Sequence, residues 1–312
     1  MKPIATIGIS FRNPGKYFEL AVKSVFAQSF PDWELILVDD GSTDGSVEFA
    51  RSLDDERVRV LVDGRELNLN VRLNQMIDLA RAPYFFRMDA DDIMHPDRLL
   101  KQLALLESSD EKTVTGSAYY AIDQNSRVVN LRGVCRRQYY GFAARHSFAH
   151  PSVAASTAWF RKHRYSESFL FHRSQDAELW CRTSASSRFV WLSEPLLFYR
   201  QIGVFSVDKH LGTMMGVLAL ARVYNNDSRM RCLAVLAREL LRLYCRLGLD
   251  LLGITYLPER WIHKAIDPSA QETAQRIVDE IARLELPLRV LTTGERRRLI
   301  GAIPVNAVDA GS

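Results

Sequence analysis

The chain is poor in cysteine, in net charge and in long apolar runs. Its four cysteines, Cys135, Cys181, Cys232 and Cys245, stand far apart in 312 residues and show no paired metal-ligand spacing. Neither a disulfide scaffold nor a thiolate metal site is therefore expected, and a reducing, cytoplasmic setting follows. No stretch approaches 18 uncharged apolar residues, and the first apolar run is broken at Arg12 with no leader-like region before it, so neither a membrane span nor a signal peptide is expected. The formal net charge is only +4, with 41 Lys+Arg dispersed among 37 Asp+Glu; that balance argues against nucleic acid as the main partner. Two phosphate cradles are also missing. The first apolar run, Ile4 to Ile9, is followed by neither Gly-x-x-x-x-Gly-Lys nor Gly-x-Gly-x-x-Gly, which removes P-loop and dinucleotide-binding proteins from consideration.

What remains is a soluble globular composition, 47% apolar and 25% charged, with one concentration of charge. Phe85-Phe86-Arg87-Met88 runs into Asp89-Ala90-Asp91-Asp92, three carboxylates within four residues, ahead of Pro96-Asp97-Arg98-Leu99. A buried strand ending this way, before a helix opening at Pro96, sets oxygen ligands at the carboxyl edge of a sheet, where open α/β sheets bind their ligands. Oxygen-only ligands suit Mg²⁺ or Mn²⁺, which share their coordination with substrate phosphates. Taken alone, the same residues also fit a capped acidic turn.

Strand and helix signals alternate over the first hundred residues. Ile4–Ile9, Trp33–Val38, Val58–Val62 and Tyr84–Met88 read as strands; Tyr17, Leu20, Ala21, Ser24, Val25 and Gln28 mark one helix face, and Leu69, Leu73, Met76, Ile77 and Ala80 another. This alternation predicts an α/β fold with a mostly parallel sheet. The second strand ends in Asp39-Asp40-Gly41-Ser42, so two acidic exits converge on one edge. With no glycine-rich cradle, a metal must supply the positive charge that phosphates need.

Ser10 with Arg12-Asn13, Val38-Asp39-Asp40-Gly41-Ser42-Thr43-Asp44, Leu73-Asn74 and Arg87 to Ile93 with Pro96-Asp97-Arg98-Leu99 resemble, in order and spacing, the family-2 glycosyltransferases of GT-A fold. The resemblance covers roughly residues 3 to 205. It implies an inverting transferase using a nucleotide-diphospho-sugar donor and a divalent metal. It further implies that Asp40 binds the nucleotide base, that Ser10 and Arg12 line its pocket, that Asp89 lies on the ribose side and that Asp91 is the metal ligand. Arg72 lies within reach of a diphosphate on this reading; a solvated helix arginine is the alternative. Inversion by single displacement requires a base for the acceptor hydroxyl. His172 to Arg182 resembles the family's acidic helix-opening motif and makes Asp176 that base, with Glu178 as the other candidate and helix-dipole stabilisation as the plain alternative for Asp176. His150, in a His-Pro segment, is either on the acceptor side or a packing residue. Where many relatives carry a histidine after the closing Tyr199-Arg200, this chain has Ile202. A third protein ligand to the metal is thus in question, and His210 could substitute only if the loop from Val204 folds back.

From Leu211 the strand signals give way to helical spacing, so residues 1–205 are read as the catalytic domain and 206–312 as a helical region. Arg238, Arg242 and Arg246 recur beside an apolar stripe, after Arg229 and Arg231. That pattern fits peripheral contact with an anionic inner-membrane face, packing on a second subunit, or packing on the chain's own domain. The expected activity is sugar transfer from a nucleotide sugar, a UDP-sugar first, to a saccharide or lipid-linked acceptor of a surface glycan. A nucleotide-sugar-binding protein without turnover is the alternative, and Asp176 argues against it. A glycoside hydrolase would leave Asp40 and Asp91 without a use.

Overall fold

The computed structural model describes residues 2–132, 149–201, 207–224 and 266–289, with isolated helical positions at 237, 240, 241, 244 and 245. Strand β1 (Ala5–Phe11) lies between β2 (Trp33–Asp39) and β4 (Tyr84–Asp89), parallel to both, and β3 (Val58–Leu61) adds outside β2. The chain thus builds outward in one direction and then returns to the other side of β1. That reversal opens a crevice where β1 and β4 end. Beyond β4 the sheet continues through β8 (Ala154–Ser156), β6 (Thr113–Ile122), β9 (Arg188–Arg200) and β5 (Ile93–Met94), with β7 (Val128–Arg132) also on β6. Strands β8, β7 and β5 run against the rest, so the sheet is mostly parallel, as the alternation predicted.

Every residue of β2 is buried, the pattern of a strand covered on both faces. Successive residues feed opposite cores. Leu35, Leu37, Phe86 and Met88 pack with α1 (Phe18–Phe26) and α4 (Arg98–Glu107). Ile36, Val38 and Phe85 pack with α3 (Leu69–Leu79), α5 (Thr157–Lys162) and α6 (Gln175–Thr183). Gly8 permits the close approach of β1 to this second layer: a Cβ there would stand 2.5 Å from the Phe85 ring.

Three local expectations shift. The first helix is preceded by a 3-10 turn at Gly15–Tyr17. A helix, α2 (Ser46–Ser52), follows the second acidic exit after Gly45 with φ +84°. The helix expected at Pro96 opens at Arg98 instead, because Ile93–Met94 is taken up as a strand opposite Phe198 and Leu197 of β9.

In the last third, α7 (Val207–Tyr224) packs on the 3-10 turn Phe169–Phe171 and on α6. Helix α8 (Pro268–Ala282) buries Ala274, Val278 and Ile281 in a cluster with Ile93, Val128 and Phe198. Gln271 donates to the Val128 carbonyl at 2.6 Å, and the Val128 amide donates to Gln275 at 2.8 Å. The following segment reaches α2, where Leu288 bridges Leu53. Residues 266–289 therefore pack against α1, β7 and the end of α2. Arg229, Arg231, Arg238, Arg242 and Arg246 lie outside the described residues.

One buried side chain ties α3 to the loop that leads toward α6. Asn74 donates to the Tyr165 carbonyl (3.0 Å) and to Glu167 (2.8 Å), and accepts from the Tyr165 amide (3.0 Å). Replacing it with alanine strands buried backbone groups, at a cost of about 2 kcal/mol. The expected result for Asn74→Ala is a melting temperature lower by about 3 °C; an unchanged thermal melt would contradict the assignment.

Candidate active site

Pairing register brings the predicted residues to one edge. Ser10 of β1 is opposite Asp89 of β4, and Phe11 is opposite Asp39 of β2. Asp39 accepts the amides of Gly41 (3.1 Å) and Ser42 (2.9 Å), which fixes the turn. Asp40 is buried and accepts the amides of Leu67 (2.8 Å) and Asn68 (3.2 Å) and Arg72 Nε at 2.9 Å.

Arg72 is fully buried, not a solvated helix residue. Its remaining donors go to Asp63 (2.8 and 2.9 Å), Gln75 (2.9 Å) and the Arg65 carbonyl. Burial works against the guanidinium charge, but the bonds to Asp63 and Asp40 lift its pKa above the ordinary value, and the same bond holds the Asp63 carboxyl well below its own. Asp40 and Arg72 thus form one braced unit beside the ends of β1 and β2. Arg12 is exposed and pairs with Glu66 across the mouth of this region. Asn13, at φ +47°, accepts the Thr43 amide at 2.7 Å and its own amide donates to Ser42 Oγ at 3.1 Å, joining the loops after β1 and β2.

At the end of β4 the carboxylates of Asp89, Asp91 and Asp92 offer oxygens that all lie within 4.8 Å of one another. At that separation a pair of ionised carboxylates repels by about 3 kcal/mol at an effective dielectric of 20. Burial, and then the charge of Asp89, pushes the Asp91 carboxyl up to about 6; burial, then Asp89 and Asp91, raises that of Asp92 further above its ordinary range. Asp89 is paired by the buried Arg87, whose Nη1 donates at 2.9 Å. Asp92 Oδ1 accepts the Arg200 amide at 2.8 Å, while Oδ2 is buried without a hydrogen-bond partner among the described residues. An all-oxygen cluster, two of its members with raised pKa values and one with an unpartnered buried oxygen, fits a hard divalent cation. Asp91 with Asp92 would hold it, Asp89 being committed to Arg87.

Asp176 lies in the first turn of α6, half-buried, with no hydrogen bond or ion pair among the described residues. Burial raises the pKa of the Tyr165 hydroxyl, and after the opposing Arg87 charge both Asp176 and Asp89 add to that rise. Glu178 is buried and held by Arg182 at 2.8 Å, a supporting pair within the helix. His150 is a packing residue: its Nε2 lies 2.9 Å from the Tyr165 hydroxyl, its ring meets Trp180, and burial drives its pKa well below the ordinary value. Ile202 and the His210 side chain lie outside the described residues. Sequence reasoning gave no role to Arg87, Arg200 or Tyr165. Arg87 was signalled only as a charge inside an apolar strand.

The family profile described as Glycosyl transferase family 2 matches residues 6–174. This chain belongs to glycosyl transferase family 2. Among curated relatives, the putative teichuronic acid biosynthesis glycosyltransferase TuaG of Bacillus subtilis is 34% identical over 125 residues, which is 39% of this chain and half the length of TuaG. Among solved structures, Staphylococcus aureus TarS 1–349 in complex with UDP superposes with a TM-score of 0.54 at 17% identity, covering 82% of this chain and 76% of that one. The mannosyltransferase PcManGT of Pyrobaculum calidifontis, in complex with GDP-Man and Mn²⁺, gives 0.51 at 13% identity over 90% and 86%. The glycosyltransferase therefore has the GT-A architecture expected from its sequence.

Because the folded Asp91 pKa lies above the ordinary 3.8, holding this carboxylate ionised costs stability above about pH 6, and the cost is relieved as pH falls through 6 toward 3.8. A bound cation relieves it at neutral pH. Mn²⁺ should accordingly raise the melting temperature of the wild type more at neutral pH than at pH 5. Asp91→Asn should melt no lower than the metal-free wild type and gain nothing from Mn²⁺; an equal Mn²⁺ shift in that variant would rule Asp91 out as a ligand.

Proposed function

We propose that this glycosyltransferase is an inverting, divalent-metal-dependent enzyme that moves a sugar from a nucleotide-diphospho-sugar, a UDP-sugar first, to a saccharide or lipid-linked acceptor in surface-polysaccharide synthesis. The observation that carries the reading is the acidic triad at the switch point of the sheet, beside Ser10 and the Asp40–Arg72 unit. TarS with UDP and PcManGT with GDP-Man and Mn²⁺ support a nucleotide-sugar donor and a metal; the description of TuaG supports a surface-polymer acceptor.

Ser10, Arg12 and Asp40 bind the nucleoside, with Arg72 serving them by fixing the Asp40 carboxylate; fully buried and with its donors spent on Asp40, Asp63, Gln75 and the Arg65 carbonyl, Arg72 does not itself reach the diphosphate. Asp89, held by Arg87, faces the ribose. Mn²⁺ or Mg²⁺ at Asp91 would supply the positive charge that the departing diphosphate needs. Asp176 takes the proton of the acceptor hydroxyl as its oxygen bonds to the anomeric carbon from the face opposite the breaking bond to the phosphate oxygen. With no hydrogen bond from a described residue, its carboxylate is open to that hydroxyl. Loss of a general base costs about 10²–10⁴ in rate. Asp176→Asn should lower transfer by that factor while nucleotide binding survives; full transfer in the variant would remove Asp176 as base, and a wild type that binds nucleotide sugar without turnover would favour the binding-only alternative.

The enzyme works in the cytoplasm, on the inner face of the membrane, through the basic amphipathic stretch of 206–312. No described helix is long and apolar enough to cross a membrane, and the side chains of Val207, Leu211 and Met215 are exposed at four-residue spacing on α7. Flotation with anionic liposomes should recover the full chain, and removing residues 229–253 should abolish recovery. Flotation unchanged by that removal would contradict membrane docking, and a stable homodimer that does not float would assign the stretch to a subunit contact.

A further inference from the structure

Arg200 closes β9, and sugar transfer as described gives it no task. It is nevertheless one of the most heavily bonded side chains near the site and only 5% exposed. Its Nε donates to the Asp91 carbonyl at 2.7 Å, Nη1 to the Asp123 carbonyl at 2.7 Å and Nη2 to Ser126 Oγ at 3.0 Å. The guanidinium carbon lies 4.1 Å from the centre of the Tyr17 ring. The backbone amide of the same residue donates to Asp92 Oδ1.

These partners belong to three separate segments: the turn before α1, the acidic exit of β4, and the turn joining β6 to β7. The last is itself braced, since Asp123 Oδ1 accepts the amides of Asn125 (2.8 Å) and Arg127 (2.9 Å). A turn carrying three mutually repelling carboxylates tends to splay. Arg200 opposes this at the backbone by gripping the carbonyl of the peptide that joins Asp91 to Asp92. It also engages one Asp92 oxygen, so that only the other stays unpartnered.

We propose that Arg200 is a positioning residue of the metal turn, setting the direction in which Asp91 and Asp92 present their oxygens. The proposal rests on the metal reading given above. The planar fork is essential to it: three donors reach three acceptors on two segments while the face stacks on Tyr17 of a third, a geometry a lysine ammonium does not reproduce. Groups that orient metal ligands typically contribute 10–100-fold to metal affinity.

The test uses the full-length protein and Mn²⁺ alone, titrated by electron paramagnetic resonance below the melting transition, with UDP binding in EDTA measured in parallel. Arg200→Lys should weaken Mn²⁺ binding by about tenfold and alter the spectrum of the bound ion, while metal-free UDP binding stays as in the wild type. A folded Arg200→Lys that binds Mn²⁺ with wild-type affinity and spectrum overturns the proposal, as does a loss that affects metal-free UDP binding equally, the mark of a general structural role. If Arg200→Lys does not fold, Ser126→Ala and Tyr17→Leu, each removing one brace, should weaken Mn²⁺ by a few-fold; wild-type affinity in both overturns the proposal. A wild type that binds no Mn²⁺ overturns instead the metal reading beneath it.

Discussion

Three carboxylates held within 4.8 Å at the end of β4 are the constraint on which the rest of this site depends. Their repulsion, about 3 kcal/mol per ionised pair, exceeds what a surface ion pair returns. The surrounding chain is arranged against it. Arg87 pairs Asp89 from the buried strand, Arg98 donates to the Arg87 carbonyl at 2.8 Å from α4, and Arg200 grips the turn from β9. Burial, then the neighbouring Arg87 charge, brings the Arg98 pKa down to about 9. A fold selected for stability alone would favour apolar groups here. Asp92 is buried with one oxygen unpartnered among the described residues, and Asp89 and Asp91 are half-buried beside it, an arrangement that a bound cation would balance.

The Asp40–Arg72 region is organised differently. Asp40 and Arg72 satisfy each other and the backbone of Leu67 and Asn68, so that half of the crevice is preformed and rigid. The region around Asp176 is intermediate: Asn74 pins the Tyr165 loop, Tyr165 meets His150, and α7 packs so closely on the residues before α6 that a Cβ at Gly216 would collide with Ser174 Oγ. The Asp40–Arg72 unit, the acidic cluster and the segment around Tyr165 are thus three separately braced parts near one sheet edge.

Much of this was legible in the sequence. The parallel strands β1 to β4 are short, continuous apolar runs with local turn signals, and the two acidic exits announce themselves by charge. Less legible was everything that depends on partners distant in the chain. Arg72 reads equally as solvated or buried until Asp40, 32 residues away, is placed beside it. Ile93–Met94 becomes a strand only because β9 lies there, over a hundred residues later. Helix α8 carries an amphipathic pattern that names no partner, yet it seals Ile93, Val128 and Phe198. Arg200 sits in a segment whose family resemblance drew attention to the position of Ile202 instead.

The central claim is that this acidic edge binds a nucleotide-diphospho-sugar through a divalent cation and turns it over. A panel of UDP-, GDP- and other nucleotide sugars, with released nucleotide as the readout, in Mn²⁺ and after EDTA, addresses it directly. The account predicts release from one donor class, lost in EDTA and restored by adding Mn²⁺ back. Release that is equal in EDTA, or none from any donor in Mn²⁺, would contradict it.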